Sequence, residues 1–191
     1  MNQGYPGEYG RQPSHSRGGG NSFHSGARHG GDFPRPAREE VPALDLTGVV
    51  IWPKMSPDLL DSVSLSVCRT LVERARHWKK DKVTIWRWDS DHEDSDANKS
   101  SQLRKFYDEL VEWQENIGLD PNLFEERLPL VMMLKAKVAY AEGRNHVTPD
   151  FSQLLGTLLD QVRKANDPKA LLNAKLFFEA FLGFYKTYNA K

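Results

Sequence analysis

The sequence is poor in the features that most chemistries require. It has one cysteine, Cys68, in 191 residues, which excludes an internal disulfide framework and a cysteine zinc cage and makes a reducing compartment, the cytoplasm, the expected location. Net charge is absent as well: Lys plus Arg number 26 and Asp plus Glu number 26, so the chain is no polycation, and any surface for a polyanion must come from local clustering. No apolar run approaches the roughly 20 residues that a membrane helix needs, and the N-terminal stretch lacks the apolar core of a signal peptide. Neither a membrane span nor secretion is expected. Hydrophobic residues make up 39% and mean hydropathy is −0.63, below the usual globular share. A polar segment must therefore be diluting an ordinary core.

Motifs for catalysis are missing too. The sequence has no phosphate-cradling glycine loop in its apolar-periodic part, no nucleophile elbow and no histidine-glutamate zinc motif. Asp89, Asp91 and Glu93 alternate like calcium ligands, but the sixth and twelfth positions hold Asp94 and Ser100, where an EF-hand loop demands glycine and glutamate. His92 beside Asp91 has no second histidine at ligand spacing, and His77 and His146 stand alone as surface or packing residues. Cys68 sits among apolar neighbours, where a thiol is inert. No catalytic residue, metal site or cofactor is expected, and the chain reads as a non-enzyme. A metal-dependent hydrolase built on the carboxylates of Asp89 to Asp96 is the one enzymatic alternative.

What the sequence does contain is sharply divided. The first 40 residues hold nine of the fourteen glycines, among Ser, Asn, His, Arg and Pro, and such a stretch cannot offset its ordering entropy by burial. Residues 1–42 are read as a disordered Gly/Ser/Arg/His-rich tail, and 43–191 as a helical-bundle domain interrupted by an acidic loop at 89–98. Within that domain a capping residue is followed at once by proline at Ser56-Pro57, Asp120-Pro121, Thr148-Pro149 and Asp167-Pro168. Each pair is a helix start, because proline suits the first helical position and the preceding side chain accepts from the orphan amides. Gly118, Gly143 and Asn166 fall where helices should stop. Apolar spacing then predicts helices over 57–80, 101–117, 129–142 (opening at Pro129 after a short turn over 121–127, with Leu130, Val131, Leu134, Val138 and Ala141 on one side), 149–165 and 168–188. The last is apolar nearly all round, so it is buried or covered by a partner. Val49 to Trp52 and Val83 to Trp88 read as short strands or as loops pinned to the bundle by tryptophan.

Three blocks of the second half carry a resemblance: Ser101-Gln102-Leu103-Arg104-Lys105-Phe106-Tyr107-Asp108, Leu134-Lys135-Ala136-Lys137-Val138-Ala139-Tyr140-Ala141-Glu142-Gly143-Arg144, and Phe177-Phe178-Glu179-Ala180-Phe181-Leu182-Gly183-Phe184-Tyr185-Lys186. In this order and spacing, over residues 99–188, the chain resembles the small subunit of the type III-A CRISPR effector, the Csm complex. It departs from the pattern at Gly183, where alanine is expected, and the tail and acidic loop look like additions. The resemblance implies an all-α bundle of about five helices without catalytic activity. It further implies a subunit that stacks in several copies along CRISPR RNA and target RNA, beside the other Csm subunits, in antiviral defence.

Physical chemistry names the residues for that role. Lys137, Tyr140, Ala141 and Arg144 are spaced by three or four and share one helix face, which aligns two cations and an aromatic plane. Lys99, Arg104 and Lys105 gather near the start of the second helix, where cations oppose the dipole by about a few tenths of a kcal/mol and point to an external anion. With Lys135, which lies on another sector, these residues form the expected RNA-binding set. A subunit that accepts any guide contacts phosphate, sugar and base faces only. Phe178, Leu182 and Tyr185 are the expected contact with a neighbouring copy, and Phe177, Phe181 and Phe184 the expected core. The alternative is a helical adaptor that binds protein and no RNA.

Overall fold

The computed structural model describes residues 41–80, 86–89 and 96–188. The Gly-rich tail lies outside these residues apart from its last two positions, and so do residues 90–95 of the acidic stretch. Among the described residues are five α-helices and one hairpin. A π-helical turn, Leu59–Val63, runs into α1 (Ser64–Ala75), followed by β1 (Trp78–Lys80), β2 (Trp86–Trp88), α2 (Ser100–Ile117), α3 (Pro121–Gly143), α4 (Pro149–Ala165) and α5 (Pro168–Tyr188).

The caps behave as local chemistry dictates. Asp120 accepts from the Asn122 amide at 2.9 Å ahead of Pro121, and Thr148 accepts from the Phe151 amide at 3.5 Å ahead of Pro149. At the far end of α4, Asn166 adopts the left-handed conformation that closes a helix. The α2–α3 turn depends on Gly118, whose φ of 58° and ψ of −130° suit no residue with a Cβ.

α5 is the centre of the bundle. It packs against α1, α2 and α4, while α3 lies against α4 and α2. An unbroken run of ring contacts crosses the core, from Phe106 to Phe151 (5.8 Å), Phe178 (5.9 Å), Phe181 (6.0 Å) and Tyr185 (5.6 Å), each contact worth about 0.5–1.5 kcal/mol beyond its buried area. The segment before the helices is extended. Val49 and Ile51 are buried, and this stretch is fastened by Gln161, which takes the Ile51 amide and gives to the Val49 carbonyl, and by Asn173, which gives to the Ile51 carbonyl. It is thus a pinned loop, held chiefly by amide side chains, with Trp52 only partly buried against the core.

Two helix boundaries differ markedly from expectation. The first helix ends at Ala75 instead of 80, because Trp78 and Lys80 pair with Trp88 and Trp86 in an antiparallel hairpin whose side chains have distant partners. α3 starts at Pro121, eight residues before the expected Pro129, which stands inside the helix on its exposed side. Proline there removes the bond to the Glu125 carbonyl, yet the stripe Phe124, Leu128, Val131, Leu134, Val138 and Ala141 continues across it onto the core. Packing along that stripe outweighs one lost bond. The same rotation turns Leu130 outward, 43% exposed, where a core position had been expected.

Candidate nucleic-acid interface

The Gly118 turn folds α3 back along α2, so that Lys137 meets Glu109, 28 positions earlier. Lys105 and Lys137 line one cleft of about 530 Å³ between these helices, together with Asp108, Glu109, Glu112 and Trp113. Carboxylates outnumber cations there, so the cleft itself is no anion pocket. The outward ridge of α3 is different. Leu130, Met133, Lys137, Tyr140 and Arg144 follow one another at intervals of three and four, and Met133 and Tyr140 are 53% and 66% exposed. The Arg144 guanidinium lies 5.8 Å from the centre of the Tyr140 ring and donates to its hydroxyl at 3.3 Å. A cation and an aromatic face are thus held side by side in solvent.

The remaining expected contacts are distributed unevenly. Arg104 is drawn to Asp108 at 3.1 Å and stacks over Tyr107 at 5.5 Å, and Lys99 pairs with Asp96 at 3.3 Å. Both pairs are exposed, and such pairs are worth only about 0–1 kcal/mol, so a phosphate can displace the carboxylate. Lys135 turns away from the ridge to Asp160 on α4 at 2.7 Å, a carboxylate that also holds Arg163 at 2.8 Å. That places Lys135 in a brace between α3 and α4. Lys105 and Arg144 meet no carboxylate within ion-pair distance among the described residues.

The expected copy-to-copy contact needs correction. Phe178 and Tyr185 are 1% and 2% exposed. Phe178 is enclosed by Tyr107 and Phe151, and the Tyr185 hydroxyl donates to the Asn98 carbonyl at 2.6 Å. The apolar wheel of α5 is largely covered by this chain's own helices: Phe177, Phe178, Phe181 and Tyr185 are buried, whereas Leu172, Leu176, Leu182 and Phe184 stay partly open and Tyr188 is exposed.

Two arrangements at the same end of α3 escaped the sequence reading. The last carbonyls of α3 are capped from the hairpin: the Trp86 indole donates to Glu142 O at 3.1 Å, and the Lys80 ammonium donates to Glu142 O at 3.1 Å and to Gly143 O. Trp78 and Arg74 meanwhile donate to the buried Asp150 in the first turn of α4. Asn98, at the end of the acidic stretch, is a second knot. Its side chain bonds the Thr148 amide and hydroxyl, and its own amide donates to His146 O. Partners 48 or more positions away leave no local signal, although Asn98's positive φ of 58° is a conformation that asparagine tolerates well.

Among the described residues no group of His, Cys, Asp or Glu converges to hold a metal ion, and no helix is long and apolar enough to cross a membrane. A family model, Csm2 Type III-A, matches residues 91–191, more than half of the chain. The chain belongs to that family. Membership makes it a structural subunit of the type III-A CRISPR complex, the small subunit, with the other Csm subunits as its partners. No curated protein and no solved structure matches the chain. The family match spans α2 to α5 and therefore the whole α3 ridge, whereas α1 and the hairpin precede it.

Proposed function

We propose that this subunit is a non-catalytic clamp on the sugar-phosphate backbone of RNA, with the α3 ridge as its contact surface. The observation that carries the reading is the pairing of exposed Tyr140 with Arg144, flanked by Lys137 and by Lys105 on α2. A guanidinium and an ammonium engage phosphates, and a phenol ring accepts any base by stacking. Lys99 and Arg104 add cations near the start of α2. Neighbouring copies meet through the apolar half of the same ridge, Leu130 and Met133, in place of α5. Several copies then lie along CRISPR RNA and target RNA in the cytoplasm, where the array gives by avidity what one weakly bound copy cannot.

The test replaces Lys105, Lys137 and Arg144 with glutamine and measures binding to a mixed-sequence single-stranded RNA over a range of salt. Each lost phosphate contact lowers the slope of log K against log salt by about 0.7, so a fall of about 2 is expected, with target-RNA cleavage by the assembled complex reduced. Unchanged slope and unchanged cleavage would remove the ridge from the RNA path. Exposed Leu130 and Met133 favour the protein-only adaptor as the second reading. That reading predicts salt-insensitive capture of a protein partner and no crosslink to RNA.

A further inference from the structure

The line of α3 that carries the ridge continues toward the start of the helix. Glu126 stands four residues before Leu130 and seven before Met133, on the same side. Its ion-pair partner is its sequence neighbour Arg127 at 3.4 Å, with both groups in solvent, and a pair of that kind is worth only about 0–1 kcal/mol. This end of the ridge is therefore an exposed apolar pair beside an available carboxylate. A surface of the opposite character lies between α1 and α5, where Arg69, Val72, Glu73, Arg76 and Tyr188 line a groove of about 190 Å³. The Arg69 guanidinium lies 5.0 Å from the centre of the Tyr188 ring and donates to its hydroxyl at 2.7 Å. A neutral partner thus holds it in place and leaves its charge intact. Arg76 and Glu73 are exposed, and their side chains form no ion pair among the described residues. With two cations against one carboxylate, the groove is net positive around an exposed ring and the buried Val72.

The two surfaces match in length and in kind. Glu126 to Met133 and Arg69 to Arg76 each span seven residues, about 10.5 Å along a helix. Arg76 is the cation without a partner, which makes it the seat for Glu126, and Leu130 and Met133 then meet Tyr188 at the mouth of the groove. Tyrosine and arginine around a small apolar hollow are the usual anchors of a protein contact, whereas a polyanion would also meet the carboxylate of Glu73 there. The surfaces belong to different faces of one copy, since α1 packs on α5 and α4 and α3 packs on α4 and α2. With 26 basic and 26 acidic residues, two copies approach without net repulsion. We infer that the N-terminal half of the α3 ridge docks into the α1–α5 groove of a second copy, with Glu126 against Arg76. Such a contact is head-to-tail and leaves one surface of each kind open at the ends of the array, so it extends. This inference rests on the reading above that copies meet through Leu130 and Met133. It adds the receiving surface, whose two arginines precede the matched family segment.

Charge exchange in the full-length protein tests the pairing, with self-association followed by sedimentation at low salt without RNA. Arg76→Glu and Glu126→Arg should each weaken association about tenfold, because each turns an attraction into a repulsion. An equimolar mixture of the two variants should restore it, since the exchanged charges attract at every second contact and the native charges at the others. Should Arg76→Glu melt early, Arg76→Gln takes its place and must weaken association by itself. A mixture of folded variants that stays dissociated, or charge variants that associate like the unaltered chain, overturns the groove as the receiving surface. If Leu130→Ser with Met133→Ser still abolishes association in that case, the apolar contact stands and is received elsewhere. An unaltered chain that stays monomeric overturns both readings. Binding of a short RNA to a single copy tests for a different occupant. Arg76→Glu should leave that binding unchanged, and a marked loss would make the groove an RNA contact and sink the copy-to-copy assignment.

Discussion

The Cys68 thiol is 0% exposed, and burial pushes its pKa up to about 12. An unfolded cysteine titrates near 8.5. Between those values the unfolded chain has released a proton that the folded chain keeps, so stability falls as pH rises through that window, by at most about 1.4 kcal/mol per pH unit. Burial also pushes the Tyr185 hydroxyl upward, which continues the decline above about pH 10. Urea midpoints measured at pH 8, 9 and 10 should drop in that order, with a shallower drop for Cys68→Ala. A disulfide reagent at pH 8 should leave the native thiol unmodified and label it only in denaturant. Asp150 offers a sharper case. It is 3% exposed and accepts from Arg74 at 3.0 and 3.1 Å as well as from the Trp78 indole. Asp150→Asn leaves a largely buried guanidinium without its counter-charge, so urea denaturation should show a loss of about 3–5 kcal/mol. Adding Arg74→Met should recover part of that loss, since the isolated charge is then gone; a strictly additive double variant would contradict the pairing.

Elements were legible wherever their boundaries are set by neighbours in sequence. Thr148-Pro149, Asp167-Pro168 and Asn166 fix α4 and α5 because a cap, a proline ring and a left-handed stop act within a few residues. The start of α3 is ambiguous in sequence because proline suits a first helical turn at Pro129 as well as at Pro121, although only Pro121 follows a capping residue, and packing of Phe124 and Leu128 with the core decides between them. The hairpin was legible only in its second strand, since Trp78 is fastened to Asp150, 72 positions away. Likewise the spacing of Lys137, Tyr140 and Arg144 shows that they share a face, but not that Glu109 takes Lys137 or that Asp160 takes Lys135. The all-round apolar wheel of α5 shows that it is covered, but not by which chain. Pro129 itself makes a prediction at this scale. It lies on the exposed side of α3, and proline is about 3 kcal/mol worse than alanine in a helix interior. Pro129→Ala should therefore stabilise the protein by about 1–3 kcal/mol in urea melts. A destabilised variant would mean that the missing bond shapes the seating of Phe124 and Leu128.

For the whole molecule, the α3 ridge combines two chemistries that can be pulled apart. Leu130 and Met133 lie toward its N-terminal end and Lys137, Tyr140 and Arg144 toward its C-terminal end. Arg144 is 11 residues beyond Met133, or about 16 Å along a helix that rises 1.5 Å per residue. Effects of substitutions that far apart add when no partner is shared. In one isolated copy, therefore, Leu130→Ser with Met133→Ser should leave affinity for a short RNA unchanged, while Arg144→Gln should lower it without altering self-association measured by sedimentation. On an RNA long enough for several copies the additivity should fail. Removing the apolar contact there also removes the effective concentration that each bound copy supplies to the next, so the serine variant should bind the long RNA more weakly and with lower cooperativity. If the serine variant instead weakens binding equally on short and long RNA, Leu130 and Met133 belong to the RNA surface, and the stacking contact must be sought on another face of the bundle.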